Sequence, residues 1–301
     1  MIAMTATDWG SSSLRIMGVD ASGAVTGTRA AEVALDQAQR EGFAKVFRRV
    51  AGDWVDAPAI ICGMAGSRGA WFEAPYTICP LALPPDAGLA HAFEMWPGKR
   101  GLMIGGAMCR LADGSPEIMR GEETQLAGLV SRGVRDGVVC LPGTHSKWAQ
   151  LRDGTLDQFR TMMTGDVFKA LSQHTVLARA LERPGAAGDA FDAGVRQGLD
   201  GQDLLARLFS YRARGIVDGV RGSELAAELS GHLIGHEIYH MRQHFACETL
   251  MIVGAKELAM RYEQAAGLAG ISARLFDGGD MAVAGMLAMA RRAGMIGAGD
   301  A

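Results

Sequence analysis

The stretch Asp8-Trp9-Gly10-Ser11-Ser12-Ser13-Leu14-Arg15 decides how this chain is read. A largely apolar run, Ile2 to Ala6, leads into the acid, and a second one, Ile16 to Val19, follows the hydroxyls. That order predicts strand, tight turn, strand. A glycine admits a close backbone approach that a Cβ would block. Consecutive N–H groups and hydroxyls in such a turn form a concave anion site. An acid closing the first strand can hold Mg²⁺ directly or through water, because Mg²⁺ prefers a carboxylate, waters and phosphate oxygens. The pattern suggests a nucleotide-phosphate device, and it differs from the Walker loop, which needs a Lys opening a helix. A hairpin with ordinary serine-rich turn chemistry has the same local pattern.

The plan recurs about halfway along. Val138-Val139-Cys140-Leu141 reads as a buried strand, Pro142-Gly143-Thr144-His145-Ser146-Lys147 as a donor-rich turn, and Trp148-Ala149-Gln150-Leu151 as a second strand. Long-range repetition of one design is an organisational signal. It predicts two similar domains closing on one nucleotide. The expected phosphate cradles are Gly10, Ser11, Ser12 and Ser13, then Gly143, Thr144 and His145, with Asp8 as the metal carboxylate. Lys147 either adds charge there or points to solvent.

The composition agrees with an enzyme of this kind. The 301 residues suffice for two domains. With 49% apolar and 21% charged residues the chain is globular, and a net charge of −3 argues against a nucleic-acid binder. No run approaches the ~20 apolar residues that span a bilayer, and no export signal is visible. Cys62, Cys79, Cys109, Cys140 and Cys247 are scattered without metal-type spacing, as in a cytoplasmic protein with reduced thiols.

Periodicity and turn residues predict strands 2–8, 12–19, 25–31, 59–62 and 101–104, with helices at 42–54 and 86–95. The segment from Gly63 to Pro85 reads as a long functional loop. Helix 122–131 links the halves. Strands 137–141, 147–152, 155–160, 250–253 and 273–276 follow, with helices 166–181, 189–198, 203–212, 223–246, 256–266 and 280–293 among them. Residues 186–188 read as a loop.

Several of these stretches resemble the 2-keto-3-deoxygalactonate kinase family, within the superfamily of actin, sugar kinases and heat-shock chaperone ATPases. They are Asp8-Trp9-Gly10-Ser11 with Leu14-Arg15, Gly63-Met64-Ala65-Gly66-Ser67, Ala74-Pro75-Tyr76, Met119-Arg120-Gly121-Glu122-Glu123-Thr124-Gln125, Pro142-Gly143-Thr144-His145-Ser146-Lys147-Trp148, Phe159-Arg160-Thr161 and Thr164-Gly165-Asp166. One departure is Asp166, where Glu is expected. The resemblance implies an α/β fold of two ribonuclease-H-like, actin-like ATPase domains flanking a nucleotide cleft. The expected boundaries are 1–121, completed by a C-terminal helix 280–297, and 122–279.

The implied activity is transfer of the ATP γ-phosphate to the 6-hydroxyl of 2-dehydro-3-deoxy-D-galactonate, with Mg²⁺, in galactonate degradation. By the same resemblance Glu122 or Glu123 contacts the acceptor hydroxyl, and Asp166 is the rival base. Gly254 and Ala255 look like an adenosine motif. A sugar acid calls for a cation, preferably an Arg fork, and Arg15, Arg68 and Arg120 lie in the matching motifs. Gly66, Ser67, Trp71 and Tyr76 complete the expected substrate wall. A homodimer is conceivable.

Other readings stay open: a kinase for a different sugar or sugar acid, or an actin- or chaperone-like ATPase module. A remote one is a zinc peptidase, because His236-Glu237-Ile238-Tyr239-His240 matches His-Glu-x-x-His. His232, His236, His240 and His244 recur every fourth residue, and Glu257 or Glu263 could complete such a metal site.

Overall fold

The computed structural model describes residues 1–85, 89–185, 188–201 and 203–297. They form two compact units: 1–136 with 151–158 and the C-terminal segment from 278, and 137–150 with 159–277.

The first unit contains β1 (Met4–Trp9), β2 (Ser13–Val19), β3 (Val25–Glu32), α1 (Leu35–Glu41), α2 (Phe43–Ala51), β4 (Ala59–Gly63), β5 (Tyr76–Ile78), β6 (Leu81–Ala82), β7 (Ala90–Trp96), β8 (Lys99–Ile104), β9 (Gly106–Arg110), β10 (Pro116–Met119) and α3 (Glu122–Ser131). Its main sheet runs β3-β2-β1-β4-β8-β7, with β1, β4 and β8 parallel and β2 antiparallel to both its neighbours. Trp9, Leu14, Ile16, Phe47, Ile61 and Met103 fill the core under it. A smaller sheet, β10-β9-β5, stands beside it.

The second unit contains β11 (Gly137–Leu141), most of β12 (Ser146–Arg152) and the second half of β13 (Thr155–Met162). It continues with α4 (Thr164–His174), α5 (Asp189–Leu199), α6 (Leu204–Val217), α7 (Gly222–Met241), β14 (Thr249–Gly254), α8 (Lys256–Leu268) and β15 (Ser272–Asp277). Its strands run β13-β12-β11-β14-β15, with β11, β14 and β15 parallel. The order β3-β2-β1-β4-β8 of the first unit is thus repeated, as the duplicated turn implied. The fold is α/β, built from two units with the ribonuclease-H-like strand order.

The last helix, α9 (Gly278–Arg292), belongs to the first unit, and so does α3, which the sequence reading placed with the second. The reason is contact between their backbones. A Cβ on Gly128 would lie 1.9 Å from the Met281 oxygen, and one on Gly285 would lie 1.9 Å from the Thr124 oxygen. In the second unit α5 and α7 touch in the same way, through Gly194 and Gly198 against Gly231 and Gly235.

Several expected elements need correction. The helix expected at 86–95 is the strand β7, paired antiparallel with β8; residues 86–88 lie outside the described ones. Its inward Phe93 and Met95 alternate with exposed Ala92 and Glu94, a period of two. The helix expected at 42–54 is α2, which passes at its end into a 3₁₀ turn, Gly52–Trp54; α1 ahead of it was not expected, and the two are parted by Gly42, whose φ of 91° a helix cannot hold. The helix expected at 166–181 stops at His174, where Thr175 accepts from the Leu177 N–H at 3.1 Å and opens a 3₁₀ turn, Val176–Arg179. Helix α7 ends at Met241 rather than 246, and α9 ends at Arg292, one residue before the end of the helix expected at 280–293 and short of the 297 given with the domain boundaries. The segment taken as one long loop carries β5 and β6. Within the loop expected at 186–188, residues 186 and 187 lie outside the described ones. No helix among the described residues is long and apolar enough to cross a membrane.

Candidate active site: two phosphate turns

In the first unit the turn between β1 and β2 closes on Gly10, whose N–H donates to the Ser13 oxygen at 2.9 Å. Ser11, Ser12 and Ser13 are left exposed. Register places Asp8 opposite Arg15 on β2 and opposite Cys62 on β4. Burial pushes the half-buried Asp8 carboxyl above its ordinary value, while the Arg15 charge and the Cys62 thiol pull it back. Among the described residues its hydrogen-bond donor is that thiol, at 3.9 Å. The carboxylate therefore keeps lone pairs for a cation, which fits Mg²⁺ held by one carboxylate, waters and phosphate oxygens. Gly63 leaves the space: its φ is 89°, and a Cβ there would lie 2.6 Å from the Trp9 oxygen and 3.4 Å from Asp8 Oδ1.

Helix α3 begins beside Gly63, since a Cβ on Gly121 would lie 3.6 Å from the Gly63 Cα. Glu122 and Glu123 open it, where negative charge meets the helix dipole. The two acids differ. Glu122 is half-buried and accepts the Arg120 N–H at 3.0 Å. Glu123 is fully buried, accepts the Gly121 N–H on both oxygens at 2.9 and 2.8 Å, and accepts the Thr124 hydroxyl at 3.1 Å. Burial first, and the Glu122 charge second, raise it to about 8. Near neutral pH that value keeps Glu123 largely protonated, with its oxygens on the Gly121 N–H and the Thr124 hydroxyl.

Arg120, Gly66 and Tyr76 come together. The Arg120 guanidinium lies over the Tyr76 ring, 4.4 Å from its centroid, and donates through Nη2 to the Ala74 oxygen at 2.7 Å. A Cβ on Gly66 would lie 2.9 Å from Arg120 Nη1. Its Nε and Nη1 are buried with no hydrogen-bond partner among the described residues, as is His91 Nε2 nearby. The Arg120 charge adds to burial in lowering His91. The other expected wall residues lie elsewhere. Trp71 packs among Trp9, Phe43, Phe47 and Phe93 in the core. The Ser67 hydroxyl donates to the Met64 oxygen at 2.7 Å, and Arg68 is exposed.

In the second unit the turn from Pro142 to Ser146 is backed by the start of α4. The Asp166 N–H donates to the Thr144 oxygen at 2.9 Å, and a Cβ on Gly165 would lie 2.4 Å from the Gly143 oxygen. Asp166 Oδ2 lies 3.5 Å from His145 Nε2, both about half exposed. Gly143, Thr144, His145 and Asp166 therefore form one polar group. Lys147 is buried and donates to the Thr161 hydroxyl at 3.0 Å, so it does not point to solvent. Gly254 closes β14 beside this turn, where a Cβ would lie 3.5 Å from Pro142 Cδ. Ala255 is the exposed residue that begins α8. In parallel α/β sheets the carboxyl ends of the strands are where ligands bind, and the ends of β11 and β14 are such a place.

Among the described residues the histidine-rich helix belongs to no cluster of three metal-type ligands. Glu237 points into the core and accepts the Trp148 indole N–H at 2.7 Å. His232 is fully buried, its Nδ1 2.9 Å from the Tyr211 hydroxyl, and His244 lies beyond the end of α7. Glu257 is held 3.6 Å from Arg261. Among the described residues no group of three or more His, Cys, Asp or Glu could hold a metal ion.

Sequence reasoning missed the Cys62 thiol, the His91 ring and the ties of Glu237. A signal for the last was present: Glu237 sits among apolar residues on a helix that reads as buried on most sides.

The pattern of the 2-keto-3-deoxy-galactonokinase family matches residues 8–289. A protein of Rhizobium meliloti named a probable 2-dehydro-3-deoxygalactonokinase is 36% identical over 296 residues, 95% of this chain and 96% of that one. The 2-dehydro-3-deoxygalactonokinase of Escherichia coli is 30% identical over 263 residues, 86% of this chain and 88% of that one. A crystal structure from Sinorhizobium meliloti, described as a candidate 2-dehydro-3-deoxygalactonokinase, superposes with a TM-score of 0.87 at 34% identity, covering 96% of each chain.

Proposed function

Because the chain belongs to the 2-keto-3-deoxy-galactonokinase family, we propose that it is an ATP-dependent kinase that phosphorylates the 6-hydroxyl of 2-dehydro-3-deoxy-D-galactonate, releasing ADP. The observation that carries this reading is the pair of glycine- and hydroxyl-rich turns at matching places in the two units, one joined to Asp8 and the other to Asp166. Phosphoryl transfer is mostly positioning and charge neutralisation. The turns Gly10–Ser13 and Gly143–His145 supply N–H and hydroxyl donors to the phosphates. Lys147 lends its charge from below the second turn. Gly254 and Ala255 leave room for the nucleoside.

Asp8 is the residue that would hold Mg²⁺, which when bound neutralises phosphate charge. Of the carboxylates, Glu122 is the first candidate to take the proton from the attacking hydroxyl. Glu123 is fully buried with both oxygens already accepting hydrogen bonds, and Asp166 lies 3.5 Å from His145. Arg120 is the candidate cation for the substrate carboxylate, since two of its N–H-bearing nitrogens have no partner among the described residues. The partners in this reading are small molecules, and the place of action is the cytoplasm.

A panel of keto-deoxy sugar acids tests the reading, with the product's phosphate position fixed by ³¹P NMR. Phosphate on the terminal carbon of 2-dehydro-3-deoxygalactonate is expected, and better turnover of another acceptor class would displace the assignment. Glu122→Gln is expected to lower kcat by about 10²-fold or more. If it keeps wild-type kcat while Asp166→Asn loses it, the base is Asp166.

A further inference from the structure

We propose that Glu237 is a positioning residue for this reaction, fixing the second phosphate turn by tying both of its flanks into the core. The inference rests on the kinase reading. Glu237 is fully buried on α7. Its Oε1 accepts the Trp148 indole N–H at 2.7 Å. Its Oε2 accepts the Tyr262 hydroxyl at 2.9 Å and also the Thr164 hydroxyl. Tyr262 in turn pairs with the Ser146 hydroxyl at 2.9 Å.

Those partners bracket the turn. Ser146 is where the turn passes into β12. Thr164 begins α4, and within two residues of it Gly165 abuts Gly143 and the Asp166 N–H bonds Thr144. One carboxylate thus joins β12, α4 and α8 around Gly143 to His145. A half-open pocket of about 90 Å³ lies beside Gly143, Thr164, Gly165 and Tyr262. Burying an acid is costly unless its oxygens are hydrogen-bonded. What Glu237 adds, and a leucine would not, is a fixed direction for three donors from three elements. Burial pushes its carboxyl up, and the bonds from Thr164, Trp148, Tyr262 and Ser146 draw it back.

The test compares wild type with Thr164→Val and Glu237→Gln. Glu237→Leu is avoided, because three orphaned donors would threaten folding. Thr164→Val keeps the shape and cuts one tie. It is expected to raise KM for ATP, and Kd for ADP by calorimetry, roughly ten-fold. KM for the sugar acid should stay within about two-fold. Glu237→Gln keeps an acceptor for Trp148, and its amide can donate to the hydroxyls, so a smaller change of about two- to three-fold is expected. A lower Tm in Thr164→Val with unchanged ATP KM and ADP Kd would mean a purely structural role and overturn the proposal. Wild type that binds ADP but phosphorylates no acceptor contradicts the kinase reading, and the ADP Kd comparison still decides the role of Glu237. Wild type that binds no ADP overturns both.

Discussion

At the residue scale the question is how similar acids take different roles. Asp8, Glu122, Glu123 and Glu237 are all carboxylates near a turn or a helix start, and their surroundings separate them. Asp8 has a thiol donor and free lone pairs, whereas Glu123 has both oxygens on a backbone N–H and no exposure. Asp8→Asn is expected to lower kcat by on the order of 10²-fold or more, since a bound metal is worth several kcal/mol of charge stabilisation. Steady-state ATP turnover checks this, and unchanged turnover would remove Asp8 from the metal site.

Glu123 makes a separate prediction in pH. Its folded value of about 8 lies above the ordinary 4.5. Between those values the folded chain keeps a proton that the unfolded chain has released, so its contribution is greatest below the lower value and is lost as pH rises to the upper one. Glu123→Gln removes this term. Denaturant unfolding at pH 5 and pH 8 should show the variant losing less stability than wild type, by up to about 1.4 kcal/mol per pH unit. Equal losses would show that Glu123 is ionised in the folded chain.

At the element scale, glycines within helices do the positioning. Helix α3 carries Glu122, and its seat on α9 depends on Gly128 and Gly285, where Cβ atoms would lie 1.9 Å from backbone oxygens. Gly285→Ala is expected to destabilise by about 2–3 kcal/mol, and a lower midpoint in denaturant checks it. A midpoint within error of wild type would mean the helices part without cost. The sequence displayed these glycines, but a lone glycine in a helix does not say what packs on it. That is why α3 was expected with the second unit. The two glycine- and hydroxyl-rich turns were legible for the opposite reason: strand, glycine, hydroxyls and strand follow one another locally. β7 was misread because only its second half alternates, and tertiary pairing with β8 decided it.

At the scale of the whole molecule, the same strand order in both units reflects a design visible in the sequence as a repeated turn. Which of the residues expected at the substrate come together was less legible, because burial and distance decide it. Arg120 and Tyr76 meet across sequence-distant segments, while Trp71, in the same long segment as Tyr76, turns into the aromatic core. The His-Glu-x-x-His string shows the same limit from the other side. Its spacing matches a metal motif, but its glutamate is committed to Trp148, Thr164 and Tyr262.

ADP release measured with and without 2-dehydro-3-deoxygalactonate tests the central claim most directly. The account predicts that the sugar acid raises ADP release by about 10²-fold or more, with one phosphorylated sugar acid formed per ADP. ATP hydrolysis at a rate indifferent to the sugar acid would contradict it.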